Sequence, residues 1–148
     1  MLSSVDLPFA TTLLVRDTCL CLHVQRAARA LARRYDDALR PVGLTSFQFS
    51  LLMSLNRPEP PGMAQVAELL AMDRTTLTAN LKPLERRGLV NVLTDQADKR
   101  RRMLVLTVPG RSTLAAAMPI WLRTHRELEE MLGNSDADRL RDDLRALS

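Results

Sequence analysis

The sequence predicts a mainly α-helical fold carrying one small β-hairpin, and three observations predict it. Apolar residues recur at helical spacing through most of the chain. Only "LVNVLT" and "RMLVLT", at 89–94 and 102–107, read as strands. Four consecutive basic residues, Lys99, Arg100, Arg101 and Arg102, lead into the second of them, at what would be the tip of a hairpin. The 148 residues suit one compact domain or one domain with helical extensions. Hydrophobic residues make up 46%, enough for a core, and with only 3% aromatic that core must come largely from Leu, Val, Ala and Met.

Residues 1–16 read as a short apolar arm that packs on something, such as a second subunit. A long helix is expected from about Asp17 to Leu39, on the spacing of Leu20, Val24, Ala27, Ala28, Leu31, Tyr35 and Leu39. Pro41 and Gly43 break it. "TSFQ" is a capping box, with Thr45 on the first amides and Gln48 reaching back. It opens a helix over about 46–56 that is apolar nearly all round and therefore central.

"NRPEPPG" is a rigid loop, followed by a short helix over about 63–71 with Val66, Ala67, Leu69 and Leu70 inward. Asp73 caps the next helix, and Gly88 stops it. Pro83 lies inside that helix and removes one amide, which predicts a kinked but continuous element; two short helices broken near Leu81 are the alternative. Thr107 caps a long helix over about 108–132, and "GNSDAD" separates it from a last amphipathic helix over about 136–147.

Net charge is +4 with a pI of about 9.8, which favours an anionic partner. The excess is uneven. Residues 16–40 hold six Arg against three Asp, and residues 63–107 hold eight Lys/Arg against five acids. Residues 109–148 hold six Arg against seven acids. Cys19 and Cys21 fall in the expected first helix, where side chains two apart diverge, so no disulfide is expected between them and a reducing cytoplasm is. No secretory leader is apparent, and no apolar run reaches the ~18–20 residues of a membrane span.

A short helix, a tight turn, a second helix and a basic hairpin make a winged helix-turn-helix, in which the second helix enters a DNA major groove and the hairpin reaches a minor groove. Helical phase supports that use. With steps of ~100° per residue, Leu77, Leu81 and Leu84 form one buried stripe, and Thr75, Ala79, Lys82 and Arg86 point the opposite way with Thr78 beside them. Small, hydroxylated and basic side chains allow close approach to base edges and phosphates. Arg74 adds charge where helix amides already favour phosphate, and Thr76 completes the set on this helix. The plain reading of the same face is a solvated polar surface.

From Leu44 to Arg111 the chain resembles the MarR family of bacterial regulators, on "LTSFQFSLLMSL", "VAELLAMDRTTLTANLKPLERRGLV", "DQADKRRRMLVLT" and "LTVPGR". The resemblance implies a helical dimerisation region from 1–40 and 108–148, and a winged helix-turn-helix DNA-binding domain over 41–107. It implies a homodimer reading a pseudo-palindromic double-stranded operator, usually as a repressor. It further implies that Arg100 enters the minor groove while Asp98 holds its guanidinium; the alternative is an ion pair that only stabilises the turn. Lys99, Arg101 and Arg102 serve phosphates or solvate the wing. Met63 departs from the Ser or Thr that many relatives carry at the start of the short helix.

The family commonly binds small aromatic or phenolic effectors between the dimerisation helices and the winged domain. Candidates here are His23, Arg26, Phe47, Phe49, Met53, Trp121 and His125, each with a core or surface alternative. One branch, the OhrR-type peroxide sensors, has a reactive cysteine in the first helix, and Cys21 stands at the matching position. The tyrosines that support that thiolate are absent, since Ser46 and Phe49 stand in their places. Cys19 and His23 are one turn apart but do not complete a tetrahedral metal site. Neither a metal nor a cofactor is expected.

A winged-helix module that meets an acidic protein instead of DNA is a competing reading. An enzyme is not expected, because no phosphate-binding glycine loop, nucleophile motif or paired catalytic carboxylates are visible.

Overall fold

The computed structural model describes residues 6–148. Seven α-helices run in the order α1 (Phe9–Thr18), α2 (Leu20–Leu39), α3 (Ser46–Ser54), α4 (Met63–Leu69), α5 (Arg74–Arg86), α6 (Val108–Met131) and α7 (Ala137–Ala146). Strands β1 (Val90–Thr94) and β2 (Arg102–Leu106) form an antiparallel hairpin between α5 and α6. The fold is thus mainly helical with a hairpin wing. Residues 1–5 of the expected arm lie outside the described residues.

The N-terminal part differs from expectation. In place of an arm and one helix from Asp17, there are two helices that meet at Cys19. Cys19 takes extended angles, φ −68° and ψ 109°, while its amide still closes α1 on the Val15 carbonyl at 3.0 Å. The Thr18 hydroxyl donates to the Leu14 carbonyl at 2.7 Å, a back-bond that competes with the ladder and bends helices. Cys19 then starts α2 afresh: its sulfur accepts the Leu22 amide at 3.5 Å. The premise that both cysteines sit in one helix therefore fails.

The capping box of α3 forms as read. Thr45 accepts the Gln48 amide at 3.1 Å, and Gln48 Oε1 accepts the Thr45 amide at 3.1 Å. Asp36 of α2 accepts the Ser46 amide at 2.6 Å, which ties α2 to α3. Leu51 and Leu52 of α3, Leu77, Leu81 and Leu84 of α5 and Leu104 of β2 are fully buried and form the centre of the core. Each such leucine contributes roughly 1.5–3 kcal/mol by leaving water.

In α4, Met63, Val66 and Ala67 face this core, but Leu69 is 64% exposed, contrary to the inward position expected. At ~100° per residue it points well away from the direction shared by Met63, Val66, Ala67 and Leu70. Met63, which departs from the Ser or Thr of many relatives, is buried and belongs to the core. The turn that follows holds Ala71 at φ 51°, in the left-handed region. α5 is continuous through Pro83 and ends at Gly88, φ 71°.

Thr107 links the wing to α6. Its hydroxyl donates to the Gly88 carbonyl at 2.6 Å and accepts the Gly110 amide at 3.0 Å. Gly110 lies against β1's approach so closely that a Cβ there would stand 2.2 Å from the Leu89 carbonyl oxygen. Only glycine fits this weld between α6 and the winged core. Beyond it, α6 packs on α2 and α3 through Leu114 and Ala117.

Candidate nucleic-acid interface

The outward face of α5 is built from its N-terminus. Asp73 accepts the Thr76 amide at 2.8 Å and the Thr76 hydroxyl at 2.7 Å. These bonds hold the Asp73 carboxyl below the usual carboxylate range. The Thr76 hydroxyl proton is thus spent on the cap, and that of Thr78 on the Arg74 carbonyl at 2.8 Å, so each offers the surface an acceptor oxygen. Arg74, Thr75, Thr78, Ala79 and Lys82 line one open concavity of about 350 Å³. Of the residues that helical phase grouped, Thr75, Thr78, Ala79 and Lys82 line it together with Arg74, while Arg86 lies beyond it beside Lys82 and Glu85.

The wing loop is a series of local bonds. Asp98 accepts the Arg100 backbone amide at 3.0 Å, and the Arg101 amide bonds the Asp98 carbonyl at 2.9 Å. Here the expectation is corrected: Asp98 shapes the turn through a backbone amide, and among the described residues it forms no ion pair with the Arg100 guanidinium. A carboxylate two residues ahead of an amide closes this turn more readily than it reaches a fork at the end of a long side chain. Arg102 donates to the Lys99 carbonyl at 3.1 Å, and Arg101 to Gln65 of α4 at 3.3 Å. Among the described residues the side chains of Lys99 and Arg100 have no protein partner, and both are exposed.

Wing and helix meet. A cleft of about 260 Å³ is lined by Arg74 of α5, by Gly62 and the first turn of α4 as far as Gln65, and by Asp98, Arg100, Arg101 and Arg102. Five basic or small-residue positions of α5 and the wing arginines therefore belong to one continuous cationic surface. Reading the sequence missed Gly62 and Gln65, which hold the base of the wing; the glycine directly before a helix start was the available signal. It also missed Arg87, whose guanidinium donates to the Gly43 carbonyl at 2.8 Å and ties the end of α5 to the turn after α2.

A family model described as MarR family matches residues 44–101, from just before α3's cap to the end of the wing loop. Transcriptional regulator HosA of Escherichia coli O127:H6 is 39% identical over 97 residues, 64% of this chain and 68% of that protein. The Mycobacterium tuberculosis regulator MosR, solved with DNA, superposes with a TM-score of 0.77 at 38% identity, over 88% of this chain and 93% of that one. The chain belongs to the MarR family. It is a winged helix-turn-helix transcriptional regulator. The transcriptional repressor CouR, solved on a 23-mer DNA duplex, matches 96% of this chain and 98% of its own at 29% identity, with a TM-score of 0.80.

The seven effector candidates of this MarR-family chain fall into separate groups. Phe49 stacks on Trp121 with centroids 6.2 Å apart, and Trp121 on His125 at 4.6 Å. His125 Nε2 lies 3.2 Å from Glu129, which also receives Arg141 of α7 at 2.9 Å. Burial pushes the Tyr35 phenol up from its usual pKa, and the Glu129 charge adds to that. Phe47 and Met53 pack on the core beside them. His23 and Arg26 are exposed on α2 outside the stack, and His23 Nδ1 lies 2.7 Å from the Cys19 carbonyl. The cavity of about 200 Å³ between α2 and α6 is lined by none of the seven. Cys21 is exposed and Cys19 half-buried, and both are free thiols. Among the described residues no three metal-ligating side chains converge, and no helix is long and apolar enough to cross a membrane.

Proposed function

We propose that this regulator works in the cytoplasm as a homodimer on a pseudo-palindromic duplex, with α5 in a major groove and the wing in the flanking minor groove. It acts by binding alone, as a repressor. The observation that carries this reading is the shared cleft in which Arg74 of α5 faces the wing arginines, so that helix and wing engage one duplex together. Arg74, Thr75, Thr76, Thr78 and Lys82 are assigned to the major groove and its phosphates. Lys99 and Arg100 are assigned to the minor groove and its borders, Arg100 being free to insert. The DNA-bound forms of MosR and CouR support the assignment.

The test is a mobility-shift titration on DNA upstream of the regulator's own gene, repeated across a salt series. Specific binding weakens steeply with salt yet keeps its preference over random competitor. Arg100→Ala costs about 1–3 kcal/mol of that binding. Equal affinity for the operator fragment and random DNA sinks the reading in favour of an acidic protein partner.

A small aromatic or phenolic effector is assigned to the Phe49–Trp121–His125 stack, whose half-buried Trp121 and His125 offer flat faces to a further ring. Trp121 is the one tryptophan of the chain, so its fluorescence reports directly. Aromatic acids are expected to quench it and to release DNA at matching concentrations; release without quenching places the effector elsewhere.

A second reading, a thiol response, is favoured by the break at Cys19. The extended backbone there removes the helical divergence that would keep Cys19 and Cys21 apart. An organic hydroperoxide would oxidise exposed Cys21 to the sulfenic acid, releasing the alcohol. Cys19 would then attack that sulfur, expelling water and leaving a disulfide. Intact mass after peroxide shows a loss of two hydrogens that dithiothreitol reverses and Cys19→Ser abolishes. Retention of both thiols removes this reading.

A further inference from the structure

We infer that Arg101 is a wing-positioning residue whose guanidinium pins the hairpin to the base of α4 and so sets the reach of Arg100. The inference rests on the DNA-reading surface proposed above and divides its four basic residues into two kinds.

Arg101 is held from three sides. Its guanidinium donates to Gln65 Oε1 of α4 at 3.3 Å, and lies 3.9 Å from the half-buried carboxylate of Asp95 at the start of the loop. The third side is Gly62: a Cβ built there would stand 2.8 Å from Arg101 Nε and 3.1 Å from its Nη2. The absence of a side chain at 62 leaves the room that the guanidinium occupies. Gln65 is the same side chain that accepts the Gly62 amide at 2.9 Å, so one amide oxygen serves both the helix start and the wing.

The backbone repeats the connection. Leu104 donates to the Pro61 carbonyl at 2.9 Å, and Gly62 bridges to Met103, which makes residues 61 and 62 a short third edge of the hairpin. Arg101 itself carries the loop closure, its carbonyl accepting the Asp95 amide at 3.0 Å and its amide bonding the Asp98 carbonyl at 2.9 Å. Arg100, the residue before it, has neither side-chain bond nor ion pair among the described residues. A hairpin of two five-residue strands is not rigid alone. Its tip is aimed by what holds its base, and the side chain that does so across 36 positions of sequence is Arg101.

A phosphate contact and a positioning residue leave different signatures. Losing a phosphate contact weakens binding to all sequences and lowers the salt slope by about one. Losing a positioning residue loosens Arg100 and erodes preference while the slope stays. The experiment uses the full-length protein with Arg101→Ala, Gly62→Ala and the double variant. The probes are the strongest duplex from in vitro selection on the wild-type protein and an unrelated duplex of equal length. Arg101→Ala is expected to lower preference for the selected duplex on the order of tenfold with the salt slope unchanged. Gly62→Ala should do the same, and the double variant should be no worse than either, because both remove one contact. Amide exchange at Leu104, read without DNA, should quicken in all three.

A salt slope lowered by about one, with equal loss on both duplexes, makes Arg101 a phosphate contact and overturns the inference. So does unchanged Leu104 exchange, whatever happens on DNA. Wild-type protein with no sequence preference sinks the DNA reading, and the exchange result still decides the clamp. Thermal melting of each variant separates a loosened wing from an unfolded chain.

Discussion

The winged segment and the outer helices are built from the same kinds of residue and finish their surfaces differently. In the winged segment the apolar side chains close on one another: Leu77, Leu81 and Leu84 of α5 and Leu104 of β2 are fully buried. Neither α1 nor α7 buries a single side chain. Leu20, Val24 and Leu31 of α2 and Leu140 and Leu144 of α7 stand exposed along helical stripes. Apolar stripes on two helices are the mark of a surface awaiting a partner. The contrast teaches that the reading head completes its own core, whereas the helices around it are finished by the second copy proposed above.

Variants in each region test this contrast, and the largest effect belongs to the closed core. Leu77→Ala is expected to cost about 2–5 kcal/mol in denaturant unfolding, since nothing collapses easily into that space. A cost below ~1 kcal/mol would mean that the winged core is not closed. Next comes the open region. Leu144→Asp should leave the circular dichroism of the wing and α5 intact, yet raise the dimer dissociation constant at least tenfold, about 1.4 kcal/mol. Sedimentation at several concentrations reads this, and an unchanged dimer would show that α7 faces solvent.

A smaller effect sits at the α5 cap. The Asp73 carboxyl is held low by the Thr76 amide and hydroxyl, so its contribution is complete above the unfolded value of about 3.9 and fades as pH falls through the folded value. The melting-temperature difference between wild type and Asp73→Asn should shrink in acid. A difference that ignores pH would detach the carboxylate charge from the cap. The smallest effect is a gain. Ala71→Gly, at φ 51°, should add about 0.5–1 kcal/mol by removing left-handed strain, less the entropy glycine costs. A loss would show that the Ala71 methyl packs usefully in the turn.

What the sequence made legible was local chemistry. The "TSFQ" cap, the Asp73 cap, the Gly88 stop and the paired strands each depend on residues within a few positions, and the structure has them all. The phase of α5 was legible for the same reason, because one periodic stripe fixes its opposite face. What escaped depended on choices between neighbours or on distant contacts. The break at Cys19 carries neither Gly nor Pro, so no residue with a helix-breaking propensity announces it. Asp98 had two possible partners on Arg100, a guanidinium and an amide, and spacing alone does not choose between them. The bonds of Arg101 to Gln65 and of Arg87 to Gly43 join residues 36 and 44 positions apart, beyond any local pattern.

The weld at Gly110 has a mechanical consequence. α6 starts fixed against Leu89 and runs for 24 residues, about 36 Å at the usual rise. Held so firmly at one end, it behaves as a lever: a tilt of about 5° at the root carries the far end roughly 3 Å over such a length. Any push on the distal helices is therefore delivered, geared down, to the residue next to β1, and a small rotation of the hairpin is answered by a much larger sweep at the opposite pole of the molecule.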